Sequence, residues 1–167
     1  MKLSRTYLVI LAASMIWCGM ILTAPLMQVR HQPSPTANEI YRFYGKVCHQ
    51  LDSRSLHLGG EKLAVCARCS GIYFSFLIML IVYPFVQSAR IRDTRLWVLA
   101  ALTPMLVDVA LDVLGIHEST IATRLITGTL FGFPICLILA PDLVSGIHSL
   151  FLKFKTIIRL RYATKTR

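Results

Sequence analysis

The chain has 167 residues, the length of a single domain. Hydrophobic residues make up 55% and charged residues 16%, with a mean hydropathy of +0.61. Soluble domains carry about 25% charged residues, so this composition excludes an ordinary soluble globule and a disordered chain alike. The formal net charge is +10. The basic residues gather at the ends of apolar runs, where membrane topology uses them, which argues against a nucleic-acid partner.

Four apolar runs follow one another. Thr6 to Val29 is 24 residues without a charge, enough to cross a hydrocarbon core of ~30 Å as a helix. It is long for a cleaved leader, and Leu22-Thr23-Ala24-Pro25 is a poor cleavage site, so it reads as an uncleaved anchor. The second run, Cys69 to Ala89, is bracketed by Arg68 and Arg90. The third, Leu96 to Ile116, is broken only by Asp108 and Asp112, and the fourth runs from Leu125 to Pro141. The expected fold class is all-α: an integral membrane bundle of four transmembrane helices, at about 7–28, 69–89, 96–115 and 124–141. The whole chain then forms a single membrane domain. Basic residues interleave with Phe151, Phe154, Ile157, Ile158 and Tyr162 over 150–167, which reads as an amphipathic tail on anionic lipid. With the N-terminus inside, 11 of the 18 Lys and Arg residues fall on the cytoplasmic side. The positive-inside rule therefore predicts both termini in the cytoplasm and the loop 30–68 outside.

That loop is the one long polar stretch and carries the densest chemistry. His31-Gln32-Pro33-Ser34-Pro35-Thr36 reads as a linker, and Glu39 to Tyr44 as the start of a short amphipathic helix at the membrane surface. Cys48-His49-Gln50, Gly59-Gly60 and Cys66-Ala67-Arg68-Cys69 follow. Two cysteines three residues apart can point at one ion, and Cys48 and His49 can complete the set, so Cys48, His49, Cys66 and Cys69 are the candidate metal ligands and zinc the expected ion. Cys66 and Cys69 also open the second helix, where the helix dipole and Arg68 lower a thiol pKa. A redox-active or structural disulfide stays open as the alternative, since an extracytoplasmic loop is oxidising. Cys18 and Cys136, inside apolar runs, read as small buried hydrophobes, and the remaining histidines as solvated.

Asp108 and Asp112 are i and i+4 on the third helix and share a face. Ionisable groups within membrane helices mark functional sites by default. Arg124 opens the fourth helix, and Thr127-Gly128-Thr129 and Gly132 permit close helix packing. In a four-helix topology Cys66, Cys69, Asp112 and Arg124 all lie at one depth, which predicts a composite site at the membrane interface.

The run Cys48-His49-Gln50, Arg54-Ser55, Gly59-Gly60, Val65-Cys66-Ala67-Arg68-Cys69-Ser70-Gly71-Ile72-Tyr73 resembles the signature of bacterial membrane proteins grouped as DUF2085. Asp112, Gly115, Glu118-Ser119-Thr120, Arg124 and Thr127-Gly128 resemble that family's second block. The resemblance spans residues 40 to 135 and implies a small multi-helix membrane protein, without an activity. Ser75 stands where the family often has glycine.

Three functions are open to such a chain. One is a metal-dependent enzyme of the bacterial inner membrane acting on a lipid-linked or amphiphilic anionic substrate, with Asp108 or Asp112 as general base and Arg124 holding the anion. Another is a quinone-linked thiol-disulfide oxidoreductase, by fold-level analogy with vitamin K epoxide reductase. The last is a non-catalytic metal-binding or assembly protein.

Overall fold

The structure is a computed structural model and describes residues 5–30, 34–86 and 94–165. In chain order it has α1 (Arg5–Arg30), α2 (Pro35–Tyr44), a single 3-10 turn (Asp52–Arg54), β1 (Ser55–Leu58), β2 (Glu61–Cys66), α3 (Ala67–Val86), α4 (Thr94–Val113) and α5 (Ile121–Lys165). Three helical stretches among the described residues are long and apolar enough to cross a membrane: Arg5–Arg30, Ala67–Phe85 and Ile121–Ile147. The expected span at 96–115 corresponds to α4. It is not among those three. The linker at His31-Gln32-Pro33 and the expected end of the second span at 89 lie outside the described residues.

Two expectations are corrected. The chain is not purely helical, because β1 and β2 pair antiparallel, with Ser55 opposite Cys66 and Leu58 opposite Glu61. The turn between them is Gly59-Gly60, at φ 64° and 90°, conformations that glycine alone adopts without strain. β1 is only four residues long, and β2 reads Glu-Lys-Leu-Ala-Val-Cys without alternation, so the strands escape a periodicity search. The other correction is one of continuity: the sequence leaves open a separate interfacial piece past Pro141, and the structure joins it to the fourth helix. α5 continues as one helix to Lys165, since an internal proline removes one backbone bond and the apolar pattern resumes beyond it.

The helices order the molecule along one axis. α1 and α3 run antiparallel: Trp17 packs near Tyr73, and Tyr7 near Leu80. α3 and α5 run parallel and very close. A Cβ on Gly71 would stand 2.5 Å from the Leu125 carbonyl oxygen, and one on Gly132 would stand 2.5 Å from that of Ile72. Small residues let these backbones touch, as membrane helices commonly do. At the end where α1 finishes and α3 begins, α2 and the hairpin form a cap. Ser34 caps α2 by accepting the Ala37 amide at 3.4 Å, and Pro35 occupies its first turn. The Tyr44 hydroxyl donates to the Trp17 carbonyl at 2.7 Å, and the Tyr41 hydroxyl donates to the Lys62 carbonyl at 2.5 Å. The core of the cap is Ile21, Ala24, Tyr44, Cys48, Leu63, Ala64 and Val65, all buried.

Candidate metal centre

Three of the four expected ligands converge. Cys48 follows the last turn of α2, where its amide donates to the Tyr44 carbonyl at 2.9 Å. Cys66 ends β2, and Cys69 lies in the first turn of α3. The three sulfur atoms all lie within 4.8 Å of one another. Tetrahedral zinc with bonds of ~2.3 Å sets sulfur atoms about 3.8 Å apart, so the thiols fit one ion after a contraction of at most about an ångström. His49 is exposed and stands outside this group. The reason is local: Cys48 turns inward, and its neighbour therefore points away.

Gln50 sets the Cys48 loop. Its backbone is left-handed at φ 49°, an uncommon conformation for a non-glycine residue. Its side-chain amide donates to the carbonyls of Tyr41 and Ala64, each at 2.7 Å, and its own carbonyl accepts from Lys62 Nζ at 3.0 Å. The loop is thereby fastened to both α2 and β2. The Cys66 amide donates to Cys48 Sγ at 3.2 Å. Hydrogen bonds with the Cys48 thiol first, and the Cys69 thiol second, hold Cys66 well below the ordinary thiol range, against the opposing effect of its burial. Burial pushes Tyr41 and Tyr44 up to about 12, so both remain hydrogen-bond donors.

The acidic pair is neutralised from three directions. Arg68, inside the C-x2-C turn, ion-pairs with Asp108 Oδ2, while the Ser119 hydroxyl donates to Asp108 Oδ1 at 2.8 Å. Arg124, only 4% exposed, donates to Asp112 Oδ2 at 2.8 Å and to the Ser119 carbonyl at 3.1 Å. Arg54, just before β1, reaches the same Asp112 oxygen at 3.5 Å, and the Ser119 amide donates to Asp112 Oδ1 at 3.1 Å. Arg54 and Arg68 are thus partners that spacing alone did not single out. They stand in the motif runs Arg54-Ser55 and Cys66-Ala67-Arg68-Cys69, and that was the available signal. Asp108 and Asp112 do share a face and do meet Arg124. Every carboxylate oxygen of the pair has a partner. Cys18 and Cys136 are buried apart from this centre.

The DUF2085 family model, described as a predicted membrane protein, matches residues 48–138. The chain belongs to this family. The matched segment opens at Cys48 and includes Cys66, Cys69, both aspartates and Arg124. An uncharacterised protein of Methanocaldococcus jannaschii is 32% identical over 157 residues, covering 89% of this chain and 99% of that relative. An uncharacterised protein of Methanothermobacter thermautotrophicus is 29% identical over 85 residues, covering 49% of this chain and 74% of that relative. Both relatives are archaeal, which widens the family beyond the bacteria that the signature first suggested. No solved structure matches the chain.

Proposed function

We propose that this chain is a four-crossing membrane protein whose Cys48, Cys66 and Cys69 hold a zinc ion at the membrane interface, next to an arginine-rich anion site. The carrying observation is the convergence of three sulfur atoms within 4.8 Å. Three thiolates leave the fourth position of a tetrahedral ion to water or substrate, the arrangement of catalytic rather than closed structural sites. A metal bound there supplies Lewis acidity toward a polar group of the substrate. Three arginines face two aspartates, an excess of one positive charge that suits a phosphate-like group. Arg54 is the looser partner of Asp112, with its side chain 45% exposed. An incoming anion would draw off Arg54, while Arg124 keeps its 2.8 Å hold on Asp112 Oδ2. The reading is therefore a metal-dependent enzyme acting on an anionic amphiphile.

The crossing number is supported by helix direction. Because α3 and α5 run parallel, the segment between them must carry the chain back across. α4 has 20 residues, or about 30 Å at 1.5 Å per residue, enough for that return. By the positive-inside rule the cap then faces outward from the cytoplasm, with both termini inside.

Elemental analysis of the detergent-purified chain, with free thiols counted on the same sample, tests the reading. The expected result is stoichiometric zinc, lost in Cys48→Ser, Cys66→Ser and Cys69→Ser and kept in His49→Ala. A metal-free protein with fewer than its five thiols titratable would overturn it in favour of a disulfide and thiol-redox chemistry.

A further inference from the structure

Between α1, α3 and α5 the helices leave a cavity of about 450 Å³. Val9, Ala13 and Trp17 form one wall, four residues apart on a single face of α1. Tyr73 and Phe76 of α3 and Leu143 of α5 form the others. All six belong to the stretches long and apolar enough to cross a membrane. Val9 and Leu143 are exposed, so the groove opens sideways, toward where lipid would lie.

One end of the groove adjoins the thiol site. Trp17 and Tyr73 close it, their rings edge to face at 5.6 Å. The same two side chains pack against the buried cluster that contains Cys48, alongside Cys66 and Cys69. Arg54, Arg68 and Arg124 stand at this same end of the bundle, with their one unbalanced positive charge. Apolar groove, thiols and arginines thus follow one another from the span to the cap.

The size selects the occupant. From Val9 to Trp17 the wall rises about 12 Å, so the 450 Å³ volume corresponds to a cross-section of about 38 Å². A section of this size takes a single hydrocarbon chain, and the positive charge at the cap end of the bundle suits an anionic head group. We propose that the groove seats one acyl chain of a phosphate-headed phospholipid, whose phosphate is met by the exposed Arg54 at the cap. The inference rests on the anionic-amphiphile reading above and names its substrate class.

The test uses the full chain in phosphatidylcholine vesicles doped with phosphatidic acid that carries a mid-chain diazirine. After illumination, adducts are located by mass spectrometry and metal content is read on the same preparation. Adducts are expected at Val9, Ala13 and Phe76 several-fold above those at Ile126 and Leu130, exposed residues of α5 away from the groove. Unlabelled phosphatidic acid displaces them and extra phosphatidylcholine does not. Ala13→Phe and Leu143→Trp fill the groove from its exposed rim, and each is expected to abolish the preference while keeping the metal. Arg54→Gln is expected to erase the selectivity for phosphatidic acid. Labelling as strong at Ile126 and Leu130, indifference to both filling variants, unchanged selectivity in Arg54→Gln, or displacement by a polyisoprenyl phosphate alone would each overturn the proposal. Groove labelling on a metal-free chain would remove the metal centre and leave the groove standing. Metal without groove labelling would remove the groove alone.

Discussion

Gly71 joins the two halves of the candidate site, and Gly71→Ala tests that junction. The glycine lies two residues beyond Cys69 and packs against the residue that follows Arg124. Its missing Cβ would stand 2.5 Å from the Leu125 carbonyl oxygen and 2.9 Å from the Thr129 amide nitrogen. Both are backbone atoms, so no side-chain rotation relieves the contact. Contacts of a real Cβ stay beyond 3.0 Å and become ordinary at 3.4 Å, so α3 and α5 must separate by about 0.5–0.9 Å. Overpacking on this scale costs about 1–3 kcal/mol. A metal site tolerates only ~0.2 Å in its bonds, so zinc affinity is expected to fall 10- to 100-fold, the usual range for a change just behind the ligands. Chelator competition and thermal unfolding in detergent measure the two effects. Gly146→Ala is the control, because a Cβ there meets nothing within 4 Å. A Gly71→Ala protein that matches Gly146→Ala in both assays would refute the close parallel crossing and its coupling to the thiols.

Other outcomes follow from the same geometry. Arg68→Met and Asp108→Leu are each expected to destabilise the chain more than the double variant does, since each single change strands a charge. A double-mutant cycle by thermal unfolding should give a coupling of at least ~0.5 kcal/mol, and additivity within error would sink the pair. In metal-free protein, Cys66 is held below the ordinary thiol range, so it should alkylate with iodoacetamide at pH 6, where an ordinary thiol is nearly inert. The sign for stability follows: this contribution is full above the ordinary thiol pKa and is lost as pH falls toward the folded-state value. Cys48→Ser removes the main cause and should move the alkylation midpoint upward. A midpoint unchanged in that variant would contradict the assignment.

Much of the architecture could be read before any coordinates. Length and a charge-poor, apolar composition determine the membrane setting, because a chain this apolar has no other place to hide its surface. The C-x2-C spacing and the i, i+4 aspartates are local facts: the first keeps two thiols three residues apart across the strand-to-helix junction, and helical geometry puts the second on one face. The hairpin was not legible. Its strands are short and stand on Gly59-Gly60 and on side-chain bonds from Tyr41 and Gln50, which come from elsewhere in the chain. The continuation of α5 past Pro141 was not legible as one helix either, because proline's local cost is outweighed by the apolar pattern on both sides.

What the sequence determined alone is therefore the set of apolar runs and the candidate ligand types. The tertiary structure decided which residues meet. It turned Cys48 inward and His49 outward, because adjacent side chains in a loop pinned by Gln50 diverge. It also brought Arg54 and Arg68 to the aspartates, across separations of tens of residues that no local period encodes. The close parallel approach of α3 and α5 at Gly71 and Gly132 decided it too, since only contact between backbones shows where a missing Cβ is required.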